Sequence, residues 1–213
     1  MIGSEADAQA WLVQERNVSR ETIERLEGFA SLLAEENERQ NLVSRSTLPD
    51  LWVRHIVDSA QLLLYVPSPT SSWLDLGSGA GFPGLIVAAL HQGPVTLVES
   101  RRLRVEFLHR AAEVLGVSPT IIPTRLERLP DATFDVISAR AFAASGRTLS
   151  LSHRFSTGNT RWILPKGASA QSELEAVRAS WHGDFRLVPS LTDQSASIII
   201  AEGVRPRRPR ETR

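Results

Sequence analysis

No cysteine occurs in this chain, so disulfides, cysteine–zinc sites and any mechanism built on a thiolate nucleophile are excluded. No apolar run approaches the roughly 18 residues that span a bilayer, so no membrane partner is expected. The opening residues, Met1 to Asp7, are acidic and lack the apolar centre of an export signal, so the expected location is the cytoplasm. No group of His, Asp and Glu has metal-ligand spacing, and no metal is expected. Lysine is nearly missing as well: Lys166 stands alone, and the rest of the positive charge is arginine, whose planar fork suits phosphate and carboxylate. The 24 basic and 24 acidic residues cancel, so individual positions carry the information rather than net charge. At 213 residues the chain is one domain, or one domain with a small appendage.

What is present is a strand, a glycine-dense turn and a helix. Trp73 to Leu76 is a short apolar run containing Asp75, followed by Gly77-Ser78-Gly79-Ala80-Gly81-Phe82-Pro83-Gly84 and the helical pattern Leu85 to Leu90. Glycines there allow positive φ and close approach of a ligand, and the helix start offers unpaired N–H groups. A second apolar run, Val95 to Val98, ends in Glu99, placed to accept hydrogen bonds from a ribose. The pattern indicates a nucleotide-like cofactor. It matches G-x-G-x-x-G, with Glu99 twenty residues after Gly79, so a dinucleotide is one candidate. Asp75 opposes it, because its charge repels a pyrophosphate and suits the cationic amino-acid end of S-adenosylmethionine. Pro83 also removes an N–H from the turn. A purely structural glycine turn is the third reading.

The first seventy residues read as helical, with Ser19 capping a helix from Arg20 to Glu38 and a further helix opening at Pro49-Asp50. Beyond a Pro/Ser-rich turn at 67–72, strands predicted at 73–76, 95–98, 120–122, 134–138 and 161–164 alternate with helices at 84–91, 103–115 and 143–153. Alternation predicts a doubly wound, mostly parallel α/β sheet. Two final runs, 185–188 and 197–201, predict an antiparallel hairpin, an arrangement of Rossmann-like class I methyltransferases rather than dehydrogenases. The expected organisation is a helical extension over 1–70 packed on the core, a cofactor-binding core over 71–203 and a basic, flexible tail over 204–213.

Taken in order, Asn41-Leu42-Val43-Ser44, Arg54-His55-Ile56-Val57-Asp58-Ser59, the glycine loop ending Phe82-Pro83-Gly84, Glu99-Ser100 with Arg104 and Phe107-Leu108, Thr124-Arg125-Leu126-Glu127, Ser138-Ala139-Arg140-Ala141 and Lys166-Gly167 resemble the ribosomal small-subunit methyltransferase G family, also called glucose-inhibited division protein B. The resemblance spans most of the chain. It implies transfer of a methyl group from S-adenosylmethionine to N7 of guanine 527 in 16S rRNA, by a monomer acting on a 30S particle or its assembly intermediate. It implies cofactor contacts from Asp75, Gly77, Gly79, Phe82, Glu99, Leu126, Glu127 and Arg140. It sets His55, with Arg54 and Asp58, at the active site as positioning groups. On local sequence alone Arg54 and Asp58 at i and i+4 read first as a surface ion pair with Ser59 as a cap, and Asp58 also as the group that orients His55. Arg101, Arg102, Arg104, Arg125 and Lys166 are the expected RNA contacts. The family's lysine–arginine pair after Glu99 is replaced here by Leu103-Arg104, which shifts the charge. Guanine N7 carries a lone pair and no proton, so no general base is expected. The chain also lacks the Asn/Asp-Pro-Pro-Tyr signature of amine methylation. The competing functions are a methyltransferase of another substrate, an NAD-dependent oxidoreductase, and a ribosome-assembly factor without catalysis.

Overall fold

The computed structural model describes residues 1–207. Seven strands form one sheet in the order β3-β2-β1-β4-β5-β7-β6. They are β1 Trp73–Leu76, β2 Val95–Val98, β3 Thr120–Ile122, β4 Val136–Ala139, β5 Arg161–Lys166, β6 Trp181–Pro189 and β7 Ser197–Pro206. The first five are parallel, and β7 runs antiparallel between β5 and β6. The mostly parallel sheet and terminal hairpin agree with the sequence expectation. Two helices follow the glycine loop and β2: α4 Gly84–Leu90 and α5 Arg102–Leu115. Two more, α6 Ser145–Ser152 and α7 Ala170–Ser180, follow β4 and β5, and α7 was not foreseen.

Helices cover both faces of the sheet, which is why its central strands are apolar in near-continuous runs. The period-two alternation of strand side chains sorts them cleanly. Trp73, Val95, Leu97, Val136, Ile163, Ile198 and Ile200 pack into one core with α4, α5 and the N-terminal helices. Leu74, Leu76, Val98, Ile137, Trp162, Leu164 and Ile199 pack into the other, under α6 and α7.

The N-terminal segment supplies α1 Glu5–Gln14 and α2 Arg20–Asn37, each started by a serine whose hydroxyl accepts a first-turn N–H. Buried Leu26, Phe29 and Leu33 lay α2 on the first core. The segment after Asp50 is not the plain helix expected. Trp52–Val57 is wound as a π-helix, Asp58–Ala60 forms the short α3, and Gln61–Tyr65 tightens to 3-10. Glu5 of α1 accepts the N–H groups of Trp52 and Val53 at 3.1 and 3.0 Å, closing two of the orphan donors at this start.

The hairpin loop is bolted to this segment. Gln61 accepts from Leu191 N at 2.8 Å and donates to Ser190 Oγ at 3.1 Å, while Thr192 Oγ1 donates to Asp58 Oδ1 at 3.1 Å. At the other end of the hairpin, β7 takes in Val204, Arg205 and Pro206, three residues assigned to a tail from their charge and proline content. Pairing with Trp181 and His182 on β6 outweighs that local composition. The remainder of the expected tail, 208–213, lies outside the described residues. No helix among the described residues is long and apolar enough to cross a membrane.

The contact of α4 with the sheet is too close for any side chain at Gly84. A Cβ there would drive into the Leu97 side chain and come 2.7 Å from Asp75 Oδ2. Gly84→Ala is expected to cost about 1–3 kcal/mol through overpacking. Urea unfolding checks this, and a change below about 0.5 kcal/mol would contradict the packing.

Candidate active site

The glycine loop is held open by backbone bonds and by one carboxylate. Gly77 N and Ser78 N both donate to Val98 O, at 2.9 and 3.1 Å, which ties the loop across the tip of β2. Glu99, only 5 % exposed, accepts from Gly79 N at 3.1 Å, Ser100 N at 2.7 Å and Arg101 N at 2.8 Å. Arg104 approaches the same carboxylate at 3.9 Å. A carboxylate offers about four acceptor positions. Three are filled by N–H groups, and one remains for a hydroxyl. Gly77, Gly79 and Gly81 sit at φ +65°, +55° and +89°, where only glycine is unstrained.

Two expected contacts take other roles in this geometry. Asp75 is fully buried: Oδ1 accepts from Ser138 Oγ at 2.7 Å, and Ser138 in turn accepts from Trp73 Nε1 at 2.8 Å. Its Oδ2 faces the first turn of α4 at Gly84 and makes no hydrogen bond among the described residues. Burial pushes the Asp75 carboxyl above its ordinary range, against the pull of Ser138. It braces β1, β4 and α4 rather than facing open space. Phe82 is 3 % exposed, so its ring is a platform and not a wall of the site. Leu126 is buried in the second core, with Glu127 exposed beside it in the 3-10 turn Leu126–Arg128.

On the Phe82 platform stand the two most connected polar groups. The His55 ring stacks at 5.0 Å and 22°, and the Arg140 guanidinium lies 4.9 Å from the ring centre. Arg140 Nη1 donates to His55 Nδ1 at 3.0 Å. An arginine can only donate, so Nδ1 accepts and the ring proton is on Nε2, which donates to Thr47 Oγ1 at 2.8 Å. Thr47 passes its own proton to Ser44 O. Burial, followed by the nearby Arg140 and Arg54 charges, pushes the His55 pKa down to about 3. The ring is neutral at physiological pH.

The expected Arg54–Asp58 pair does not form. Arg54 reaches Asp193 in the hairpin loop at 2.7 Å, while Asp58 Oδ2 faces Arg140 at 3.6 Å. The His55 ring bonds to Thr47 and Arg140 rather than to the Asp58 carboxylate, and Asp58 meets His55 only through its backbone N–H, which donates to His55 O. Each of the two charges has a long-range partner instead, one in the hairpin loop and one at the end of β4. Ser59, read as a cap, donates to His55 O at 2.6 Å. Burial pushes the Asp58 carboxyl up, with Arg140 pulling it back.

Arg54, His55, Asp58, Arg140 and Lys166 line one cleft of about 530 Å³ at the C-terminal ends of β4 and β5. Sequence reasoning missed a sixth residue there, Phe142. Its ring packs on Gly77, so that a Cβ at Gly77 would lie 2.6 Å from it. Ala141 before it is left-handed at φ +51°. Nothing in the local pattern marks this turn. It is fixed from behind by Glu173, which accepts from Ser145 N, Ser145 Oγ and Lys166 Nζ at 2.8, 2.7 and 2.9 Å. Burial works against the Glu173 charge, yet these bonds hold its pKa down to about 2. Lys166 also donates to Ala143 O and is therefore a brace of this turn, not an open cation. Of the other expected RNA contacts, Arg102 pairs with Glu106 at 2.7 Å and Arg104 faces Glu99, while Arg101 and Arg125 are exposed without a carboxylate partner among the described residues.

The model of rRNA small subunit methyltransferase G (GidB) matches residues 22–196. The chain belongs to this family. A protein named ribosomal RNA small subunit methyltransferase G from Rhizorhabdus wittichii is 52% identical over 211 residues, covering 97% of this chain and 96% of its own length. One of the same name from Novosphingobium aromaticivorans is 54% identical over 202 residues, covering 92% and 87%. Among solved structures, a ribosomal protein L11 methylase from Lactobacillus delbrueckii subsp. bulgaricus matches with a TM-score of 0.56 at 14% identity, over 70% of this chain and 78% of that one. The structure of MtNAS in complex with MTA and tNA matches at 0.57 and 14%, over 93% and 76%. These two show the Rossmann-like methyltransferase fold, and the family's members use S-adenosylmethionine. The loop and Glu99 fit such a group: three positive-φ glycines give close backbone access, and one carboxylate position is free.

Glu99→Gln should weaken S-adenosylhomocysteine binding by about 1–3 kcal/mol, the scale for a hydrogen bond to a charged acceptor. Calorimetric titration checks it, and unchanged affinity would remove Glu99 from the cofactor site. His55 gives a pH signature of stability. The folded ring stays neutral while the unfolded ring takes a proton below about pH 6.5. Its contribution is complete above that pH and is lost progressively as pH falls towards 3. Relative to His55→Asn, the parent should lose thermal stability across that window. Parallel melting-temperature profiles would contradict the neutral, buried ring.

Proposed function

We propose that this chain transfers a methyl group from S-adenosylmethionine to N7 of guanine 527 in 16S rRNA, acting as a cytoplasmic monomer on a 30S particle or its assembly intermediate. Family membership across residues 22–196 carries the reading, and the chemistry of the cleft supports it. S-adenosylmethionine supplies an electrophilic methyl group when bound. The protein's task is then to position the acceptor and exclude water.

The histidine and the carboxylates that line the cleft, His55, Asp58, Glu173 and Asp193, are each engaged by hydrogen bonds or ion pairs. Both His55 nitrogens are engaged, and the ring resists protonation down to about pH 3. Asp58 Oδ1 accepts from Gln61 and Thr192, while Oδ2 faces Arg140. Glu173 is saturated by Ser145 and Lys166. An exocyclic amine or a hydroxyl needs a base as it reacts, and guanine N7 does not. His55 acts through Arg140: by accepting at Nδ1 it fixes the guanidinium at the mouth of the cleft. It is a positioning residue.

The single-turnover rate on 30S subunits lacking the modification should be nearly flat from about pH 6.5 to 8.5 at saturating substrate. His55→Ala should lower that rate without adding a slope. A tenfold rise per pH unit would show that a proton is removed and would point to an amine or hydroxyl acceptor. Mass spectrometry of 16S rRNA from a strain lacking the gene settles the position: an intact modification at guanine 527 overturns the assignment.

A further inference from the structure

The cations around the cleft and the strand tips divide into two sets. Arg54, Arg102, Arg104, Arg140 and Lys166 are each held by a carboxylate. Arg101, Arg125, Arg128 and Arg147 are exposed and have no carboxylate partner among the described residues. Arg128 and Arg147 were not singled out from the sequence. Arg101 follows the end of β2 at Glu99, Arg125 and Arg128 follow the end of β3, and Arg147 lies in α6, the helix after β4.

The local structure groups them. Arg125 precedes the 3-10 turn Leu126–Arg128, and Arg128 N donates to Arg125 O at 2.9 Å. Arg125, the extended residue that caps the turn, and Arg128, its last residue, are thus joined across it, both exposed. That turn packs on α6, which carries Arg147, and Arg154 fastens the two by donating to Leu126 O and Leu129 O at 2.8 and 2.7 Å.

Two helix starts break a local rule here. Cations are disfavoured in a first turn, where the helix dipole is positive. Yet α5 opens with Arg101 at its cap and Arg102 and Arg104 in its first turn, α6 has Arg147 in its own, and neither first turn contains an acid. Glu99 and Glu173 each accept backbone N–H groups at these starts, yet the exposed guanidinium groups of Arg101 and Arg147 have no carboxylate partner among the described residues, and an anion fits beside them. Charge is also unevenly spread: residues 1–70 carry 11 acidic and six basic side chains, residues 71–213 carry 13 and 18. The N-terminal helices are the wrong sign for a polyanion.

We infer that Arg101, Arg125, Arg128 and Arg147 form an arc along the C-terminal tips of β2, β3 and β4 that binds the phosphate backbone of the substrate RNA, while the cleft cations are internal braces. The inference rests on the proposed rRNA reading and assigns its phosphate-contact face. Phosphate contact supplies affinity and register, and the salt dependence of binding counts the contacts.

The test compares two charge-matched triple variants, Arg125→Gln/Arg128→Gln/Arg147→Gln on the arc and Arg20→Gln/Arg25→Gln/Arg45→Gln on the N-terminal helices. The second set is paired with Glu24, Glu21 and Glu38. Binding to 30S subunits lacking the modification is measured across a salt series. The arc triple should lower the log–log salt slope by about two to three units, at roughly 0.7–0.9 per phosphate contact, and the helix triple by less than about half a unit. S-adenosylhomocysteine affinity should be unchanged in the arc triple. A parent that methylates the particles while the arc triple keeps its slope overturns the arc alone. Equal slope changes in the two triples also overturn it, since net charge alone would explain them. A parent that neither binds nor methylates the particles overturns the functional reading beneath it.

Discussion

A single guanidinium touches or links four pieces of this chain. Arg140 leaves the end of β4 and meets His55 and Asp58 of the N-terminal segment and the Phe82 ring of the glycine loop. Through Asp58 it is linked to Thr192 in the β6–β7 loop. Its side chain is 20 % exposed and that of Asp58 is 18 %, so neither charge is well solvated, and burial lowers the Arg140 pKa against the support of Asp58. Such a pair adds little net stability, but removing one partner leaves a stranded charge at a cost of about 3–5 kcal/mol. The constraint therefore acts as a register pin. Together with the Gln61 bonds to the hairpin loop and the Arg54–Asp193 pair, it holds the N-terminal segment, the glycine loop and the hairpin in one mutual arrangement.

The strands and the acid at the tip of β2 are legible in the sequence because both rest on local pattern. β1, β2 and β3 fall on the expected residues, and β4 and β5 shift only at their ends. Phe134 and Asp135 look like strand, but Phe134 N donates to Phe155 O and Asp135 accepts from Ser72, which anchors the approach to β4 instead. The partners of the cleft residues are not legible. Arg54 and Asp193 are 139 residues apart, and Arg140 and His55 are 85 apart. Where local spacing does suggest a pair, as for Arg54 and Asp58, each charge is taken by a partner far along the chain. α7 was missed, and with it Glu173, which fixes the turn bearing Phe142.

Gly77 shows how one residue answers two demands. A ligand-binding loop and a tight backbone both call for glycine there. The structure adds a third cause, the Phe142 ring against its Cα, and a substitution at Gly77 would strike that ring whether or not a cofactor were near. Glu99 is the cleaner probe of the cofactor, since its remaining acceptor position takes no hydrogen bond from a described protein group, with Arg104 standing off at 3.9 Å.

The saturation of the cleft has a chemical consequence. A site that must accept a proton keeps one base underused, with a pKa near the working pH. This cleft does the reverse. Its histidine is held neutral, its carboxylates are occupied, and its cations are braced. Each hydrogen bond removes freedom from a side chain before any substrate arrives, so the ordering cost is met by folding rather than by binding. Rigid polar walls without a free base suit a nucleophile that brings its own lone pair and loses no proton. The same economy explains the division among the arginines. Those inside the cleft are consumed in holding its shape, and only those outside it remain open to a polyanion.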